Sequence, residues 1–192
     1  MSLYTETFQK NQYNLPQVVQ KSKTWFQQQA LLLSKQNIQP LKLIRSSPEK
    51  NVMKIIPGDL VLFMYDAKTQ DKLQYWDMFP LVFPFRKLTD GFIGLNLHYL
   101  PYYMRARLLD RLMDFSTNQL MNENTRLRYK WSTISSVARY AAAFPCVHRY
   151  LLPHIQTPLK KIDSQDWTTA LMLPVERFIG ASKQRVWSES MR

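Results

Sequence analysis

Arginines pose the first chemical question. Residues 101–150 hold eight basic side chains, seven of them arginine, with Lys130 the exception. A guanidinium offers a planar fork of donors that matches phosphate oxygens and stacks on bases. Arg105, Arg107 and Arg111 fall on one predicted helix, mostly off its apolar face. Arg126, Arg128 and Lys130 interleave with Tyr129 and Trp131, the mixture of cation and ring that a nucleic-acid surface needs. Arg139, the Lys160-Lys161 pair, Lys183 and Arg185 extend the set. Together these are the candidate DNA-binding residues, neutralising phosphates without reading base sequence.

Other side chains invite chemistry and mostly lose to plainer readings. Tyr99, Tyr102 and Tyr103 lead into Arg105 and could stack bases at a DNA end, or could fill the seam between sheet and helix. His98 stands near Asp77 and Asp90 in sequence, yet a base or metal role needs partners converging in space, so a structural histidine is expected. His148 and His154 are spaced wrongly for two ligands on one helical face. Cys146 is the single cysteine, which excludes an intramolecular disulfide and a Cys-rich zinc module, and it reads as a small buried hydrophobe. Asp59, Asp66, Asp71, Asp77 and Asp90 cluster in one segment but fall mostly at turns. A metal-dependent nuclease built on Asp59 or Asp77 is therefore a minor reading. The only close glycine pair is Gly91 and Gly94, so no phosphate-cradling loop is present. No catalytic residue, metal ligand or cofactor is assigned.

The elements that must position these residues follow from composition and pattern. The chain has 192 residues, 26 Lys+Arg against 14 Asp+Glu, and a formal charge of +12. Hydrophobic residues make up 45 % and aromatics 13 %, which excludes whole-chain disorder. The middle segment, 51–100, balances five basic against five acidic groups, so the positive excess lies on either side of it. That points to a polyanion or an acidic protein surface as partner. Met1–Lys10 lacks the pattern of a signal peptide, and no apolar run approaches the ~20 residues of a spanning helix. A soluble protein in a reducing compartment is expected, with no membrane and no small-molecule substrate.

Residues 1–50 read as an N-terminal arm, an amphipathic helix over Leu15–Lys35 and a linker. That helix has a glutamine- and lysine-rich polar face with no acid. Residues 51–100 alternate short aromatic-rich runs with turn residues. Strands are predicted over Val52–Ile56, Leu60–Tyr65, Pro80–Phe85 and Phe92–Leu100, with turns at Pro57-Gly58-Asp59 and Thr89-Asp90-Gly91. This is the signature of a small antiparallel β-barrel or sandwich. Residues 101–192 read as helical and packed on the barrel. Helices are predicted over Tyr102–Gln119, Ser132–Ala143, from Pro145 to near Pro153, over Trp167–Met172 behind Asp163 and Asp166, and from Pro174 through Phe178 and Trp187. The fold class is α+β.

Four blocks carry a resemblance. They are Pro57-Gly58-Asp59-Leu60-Val61-Leu62-Phe63-Met64-Tyr65-Asp66, Tyr75-Trp76-Asp77-Met78-Phe79-Pro80-Leu81-Val82, Asp90-Gly91-Phe92-Ile93-Gly94-Leu95-Asn96-Leu97-His98-Tyr99-Leu100-Pro101, and Leu173-Pro174-Val175-Glu176-Arg177-Phe178 before Lys183–Trp187. Over about residues 55–192 the chain resembles a family of small virion proteins of T4-like phages, marine ones included, often labelled DNA end protector. The Pro-Gly-Asp opening, acidic loop and Gly-flanked return strand are also similar to SH3-like barrels. The family resemblance implies a non-enzymatic protein made late in infection that binds the ends of packaged linear DNA. It would shield them from host exonuclease and travel in the virion near the portal or neck, after assembly in the host cytoplasm. It attaches no catalytic residue to that role. The alternative, from another class, is a structural tail, neck or baseplate component whose basic surfaces meet acidic neighbours among the other phage structural proteins. The acid-free N-terminal helix face and the surplus of aromatics fit that alternative.

Overall fold

The computed structural model describes residues 38–46, 50–52, 54–106, 146–163 and 166–191. Along the chain these form α1 (Pro40–Arg45), β1 (Asn51–Val52), β2 (Leu60–Leu62), β3 (Trp76–Asp77), β4 (Leu81–Lys87) and β5 (Gly91–Asn96). After β5 come a 3-10 turn (Leu97–Tyr99) and a helical stretch at residues 102–106. The remaining elements are β6 (Val147–Leu151), β7 (Leu159–Ile162), α2 (Trp167–Met172), β8 (Phe178–Ile179) and α3 (Lys183–Ser190).

A wholly apolar strand needs cover on both faces. β2 is such a strand, buried throughout. Leu60 and Leu62 face a large core with Leu81, Phe83 and Leu95, roofed by Trp167, Leu171 and Val186. Val61 and Phe63 face a smaller aromatic core with Tyr65, Val82, Phe92 and Tyr150. In that second core the Phe63 and Tyr65 rings each meet Tyr150 edge-on, at 5.3 and 5.0 Å. Such pairs add about 0.5–1.5 kcal/mol each beyond their area burial.

Six strands form one sheet in the order β1-β7-β2-β4-β5-β6, every neighbour antiparallel. β3 and β8 form a separate antiparallel pair. Among the described residues β1 and β6 are the edges and do not pair, so the sheet is open and the expected closed barrel is not formed. The physical reason is the origin of the strands. β6 and β7 come from the segment expected to be helical, and they extend the sheet on opposite sides of the β2-β4-β5 meander.

Several predicted elements hold. Asp59 N–H donates to Ile56 O at 3.2 Å across Pro57-Gly58, with Gly58 at φ 92°, the left-handed position that a Pro-Gly turn requires. The polar loop from Asp66 and the helix Trp167–Met172 are present. Others are corrected. Residues 147–151 form a strand, not a helix, because Val147–Leu151 finds an antiparallel partner in β5, from Leu95↔Val147 to Gly91↔Leu151. From Pro174 the chain is extended through β8, and the last helix starts only where Ser182 accepts from Arg185 N–H. The chain over Pro40–Arg45, expected as linker, is helix α1, with Leu43 and Ile44 in the larger core. The predicted helices Leu15–Lys35 and Ser132–Ala143, and the predicted Tyr102–Gln119 beyond residue 106, lie outside the described residues.

Candidate nucleic-acid interface

Edge strand β6, the loop at 66–75 and β3 meet around a cleft of about 470 Å³. Backbone bonds set its walls: Tyr65 N–H donates to Met78 O, Asp66 N–H to His154 O, and Leu152 N–H to Asp90 O, each at 2.9 Å. Tyr99 and Tyr150 are buried at its base, while Tyr75, Trp76 and His148 are half-exposed along its sides. The His148 ring lies over Tyr99 with centroids 4.2 Å apart. Tyr75 is held by its hydroxyl, which donates to Glu189 Oε2 at 2.8 Å. Burial first, and then Glu189, push the Tyr75 phenol up to about 12, so it stays neutral.

Cations rim this cleft. Exposed Lys68 stands on the loop and exposed Arg149 on β6. Asp90 steadies Arg149, with Nη2 to Oδ2 at 2.6 Å. A second, more open depression shares Asp90 and Arg149 and adds Arg86 and Lys87. A bulge in β4 between Pro84 and Arg86 shifts the register there, and both cations beyond it are exposed. Among the described residues Lys68, Arg86 and Lys87 make no ion pair. Asp90 is the one exposed carboxylate lining either depression.

The other lining carboxylate, Asp77, is buried and fully engaged. His98 Nδ1 lies 2.7 Å from its Oδ2, Asn96 Nδ2 donates to Oδ2 at 3.2 Å, and the backbone N–H groups of Phe79 and Arg177 donate to Oδ1. A carboxylate accepts here, so Nδ1 carries the His98 proton. This joins β3, β5, the 3-10 turn and the chain entering β8. His98 is thus the structural histidine expected from sequence. Asp59 instead pairs with Lys161 at 3.0 Å. No group of three or more His, Cys, Asp or Glu among the described residues could hold a metal ion.

The expected DNA-binding residues separate sharply. Arg105 is enclosed, with 0 % exposure. Its Nε donates to Leu100 O at 2.7 Å, Nη1 to Leu171 O and Nη2 to His98 O, both at 3.1 Å. Glu176 Oε2 lies 3.7 Å from Nη1, and the guanidinium sits 4.5 Å from the Tyr102 ring centroid. Every face of the fork is occupied, so Arg105 cannot meet phosphate and is corrected to a structural residue. Lys160 is corrected likewise: it is buried in β7 and donates to Ser46 O. Tyr99 and Tyr102 are buried seam residues, Tyr102 donating to Glu176 Oε1 at 2.8 Å.

Lys161, Lys183 and Arg185 are partly exposed, each beside a carboxylate: Asp59, Glu176 and Glu189 respectively. Arg107, Arg111, Arg126, Arg128, Lys130 and Arg139 lie outside the described residues. Sequence reasoning missed Lys68, Arg86, Lys87 and Arg149. A signal existed for Arg149, one of the seven arginines of 101–150, but the predicted helix there hid its place on a sheet edge.

The family model for the phage T4 terminal DNA protecting protein matches residues 4–190. This chain belongs to that family. The match begins inside the N-terminal fifty residues, well before the blocks that carry the resemblance. No curated protein and no solved structure matches the chain. In this member of the terminal DNA protecting family, the cation-rimmed cleft and the open depression lie side by side, joined through Asp90 and Arg149. No helix among the described residues is long and apolar enough to cross a membrane.

Proposed function

We propose that this protein binds the ends of linear phage DNA in the virion and shields them from exonuclease, without chemistry of its own. The observation that carries this is the family match, which spans nearly the whole chain. The surface supports it: Lys68, Arg86, Lys87 and Arg149 line two adjoining depressions in which Asp90 is the one exposed carboxylate of the lining, with exposed Asp66 and Asp71 on the loop beside Lys68. Phosphates would bind there through charge-assisted hydrogen bonds that carry no sequence information. Lys161, Lys183 and Arg185 would exchange a carboxylate for a phosphate. Arg107, Arg111, Arg126, Arg128, Lys130 and Arg139 are proposed as further contacts on their sequence pattern.

The test is digestion of linear duplex by a processive exonuclease, with and without the protein, alongside binding to linear and closed-circular duplex over a salt series. Linear ends should survive, and affinity should fall roughly 10³-fold or more between 50 and 200 mM salt for six or more contacts. Unprotected ends at saturating protein, or a shallow salt slope, would overturn the proposal.

A further inference from the structure

We propose that the cleft between β6 and the 66–75 loop takes one unpaired nucleotide at the DNA terminus. Its base would lie against the Tyr75–Trp76–His148 wall, with its phosphate between Lys68 and Arg149. This rests on the proposed DNA-end function and gives it a site.

Size is the first argument. About 470 Å³ falls in the range of small-ligand sites and admits a single base and sugar, not a duplex. Chemistry is the second. Half-exposed rings line the sides, backed by buried Tyr99 and Tyr150, so stacking faces are rigid and already desolvated from behind. Aromatic faces accept any base, which suits an end of arbitrary sequence.

Charge is the third. The two cations stand at the rim, where a phosphate would remain half-solvated, while the rings lie deeper. Inside, the Asp77 carboxylate is buried and hydrogen-bonded by His98 and Asn96, so the base would lie nearer to it than the phosphate would. Asp90 pairs with Arg149 through Nη2, and a phosphate would share that fork. The path onward is also set. Arg149 belongs to both depressions, so the next phosphate would pass toward Arg86 and Lys87.

Only an unstacked base can enter, and the cheapest base to unstack is one already unpaired or at a frayed end. A terminus is therefore recognised by what it alone offers, a base free to leave the stack.

The experiment uses the full chain and two probes. One is a trinucleotide carrying 2-aminopurine at its 5′ or its 3′ end. The other is a linear duplex with 2-aminopurine at the terminal or at an interior position. Lys68→Gln with Arg149→Gln is the main variant, since both side chains are exposed; Trp76→Leu is the second, read only if its melting curve stays cooperative. Terminal 2-aminopurine should change emission on binding and interior 2-aminopurine should not. The charge variant should bind the trinucleotide roughly tenfold or more weakly, with a salt slope smaller by about 0.7 for each phosphate no longer neutralised. Trp76→Leu should weaken it by roughly fivefold or more. If duplex ends are protected but the trinucleotide binds wild type and charge variant alike, or not at all, the cleft is not the site and the end-binding function stands. If the trinucleotide binds in the cleft while duplex ends stay unprotected, the nucleotide site stands and the end-binding function falls.

Discussion

Replacing Arg105 with methionine should destabilise the fold rather than weaken DNA binding. The guanidinium is enclosed and donates to three carbonyls, of Leu100, Leu171 and His98. His98 O keeps a second donor, Trp187 Nε1 at 2.8 Å. Glu176 fares worse, because its carboxylate stays buried with Lys183, 3.5 Å away and partly exposed, as the remaining ion-pair partner among the described residues. Breaking a buried pair from one side costs about 3–5 kcal/mol. For a chain of this size that lowers the melting temperature by roughly 6–20 °C. Calorimetry of wild type, Arg105→Met and Arg105→Met/Glu176→Gln reads this directly. The double variant should recover part of the loss, since neutralising Glu176 removes the stranded charge. Salt dependence of DNA binding, measured well below the melt, should match wild type. If Arg105→Met melts like wild type but binds DNA with a smaller salt slope, the burial argument is refuted and Arg105 touches phosphate.

Glu176 sets an acid limit. Burial alone would raise its carboxyl, but Arg105, then His98 and Lys183, hold it down at about 2 against an ordinary 4.5. A depressed carboxylate stabilises above its unfolded value, so about 3 kcal/mol should be lost as pH falls from 4.5 through 2, and Glu176→Gln should flatten that part of the urea-stability profile. An equal fall in both proteins would contradict this. Gly91→Ala places a Cβ 1.9 Å from the Tyr150 carbonyl oxygen, a backbone atom that cannot swing aside. The cost should be about 1–3 kcal/mol or more, with faster amide exchange over 147–151 as β6 lifts away; unchanged exchange would argue against that registry. Burial pushes the Cys146 thiol up to about 12, partly offset by a Ser190 hydrogen bond. Alkylation at pH 8 should therefore track urea unfolding, and brisk labelling of native protein would place the thiol at the surface.

Local chemistry was readable wherever a short stretch decides its own conformation. The Pro57-Gly58-Asp59 turn needs a residue that tolerates positive φ, and the string says where that residue is. The β2-β4-β5 meander follows from adjacent apolar runs separated by turn residues, so it too was legible. β6 and β7 were not. Each has its partner in β5 or β2, across the intervening chain, and a five-residue run such as Val147–Leu151 reads equally as strand or helix until that partner is in place.

Sequence by itself determined the charge excess, the lone thiol, the turn positions and the family. What it could not determine is which cations face water. Arg105 and Arg149 have the same fork and stand in the same arginine-rich segment, yet one is locked under three carbonyls and the other rims a cleft. Exposure is a property of what packs on top, and what covers Arg105 is Leu171, Glu176 and Trp187, more than sixty residues further on. Only the tertiary structure brings them there, so only it decides which arginines are enclosed in the fold and which remain exposed.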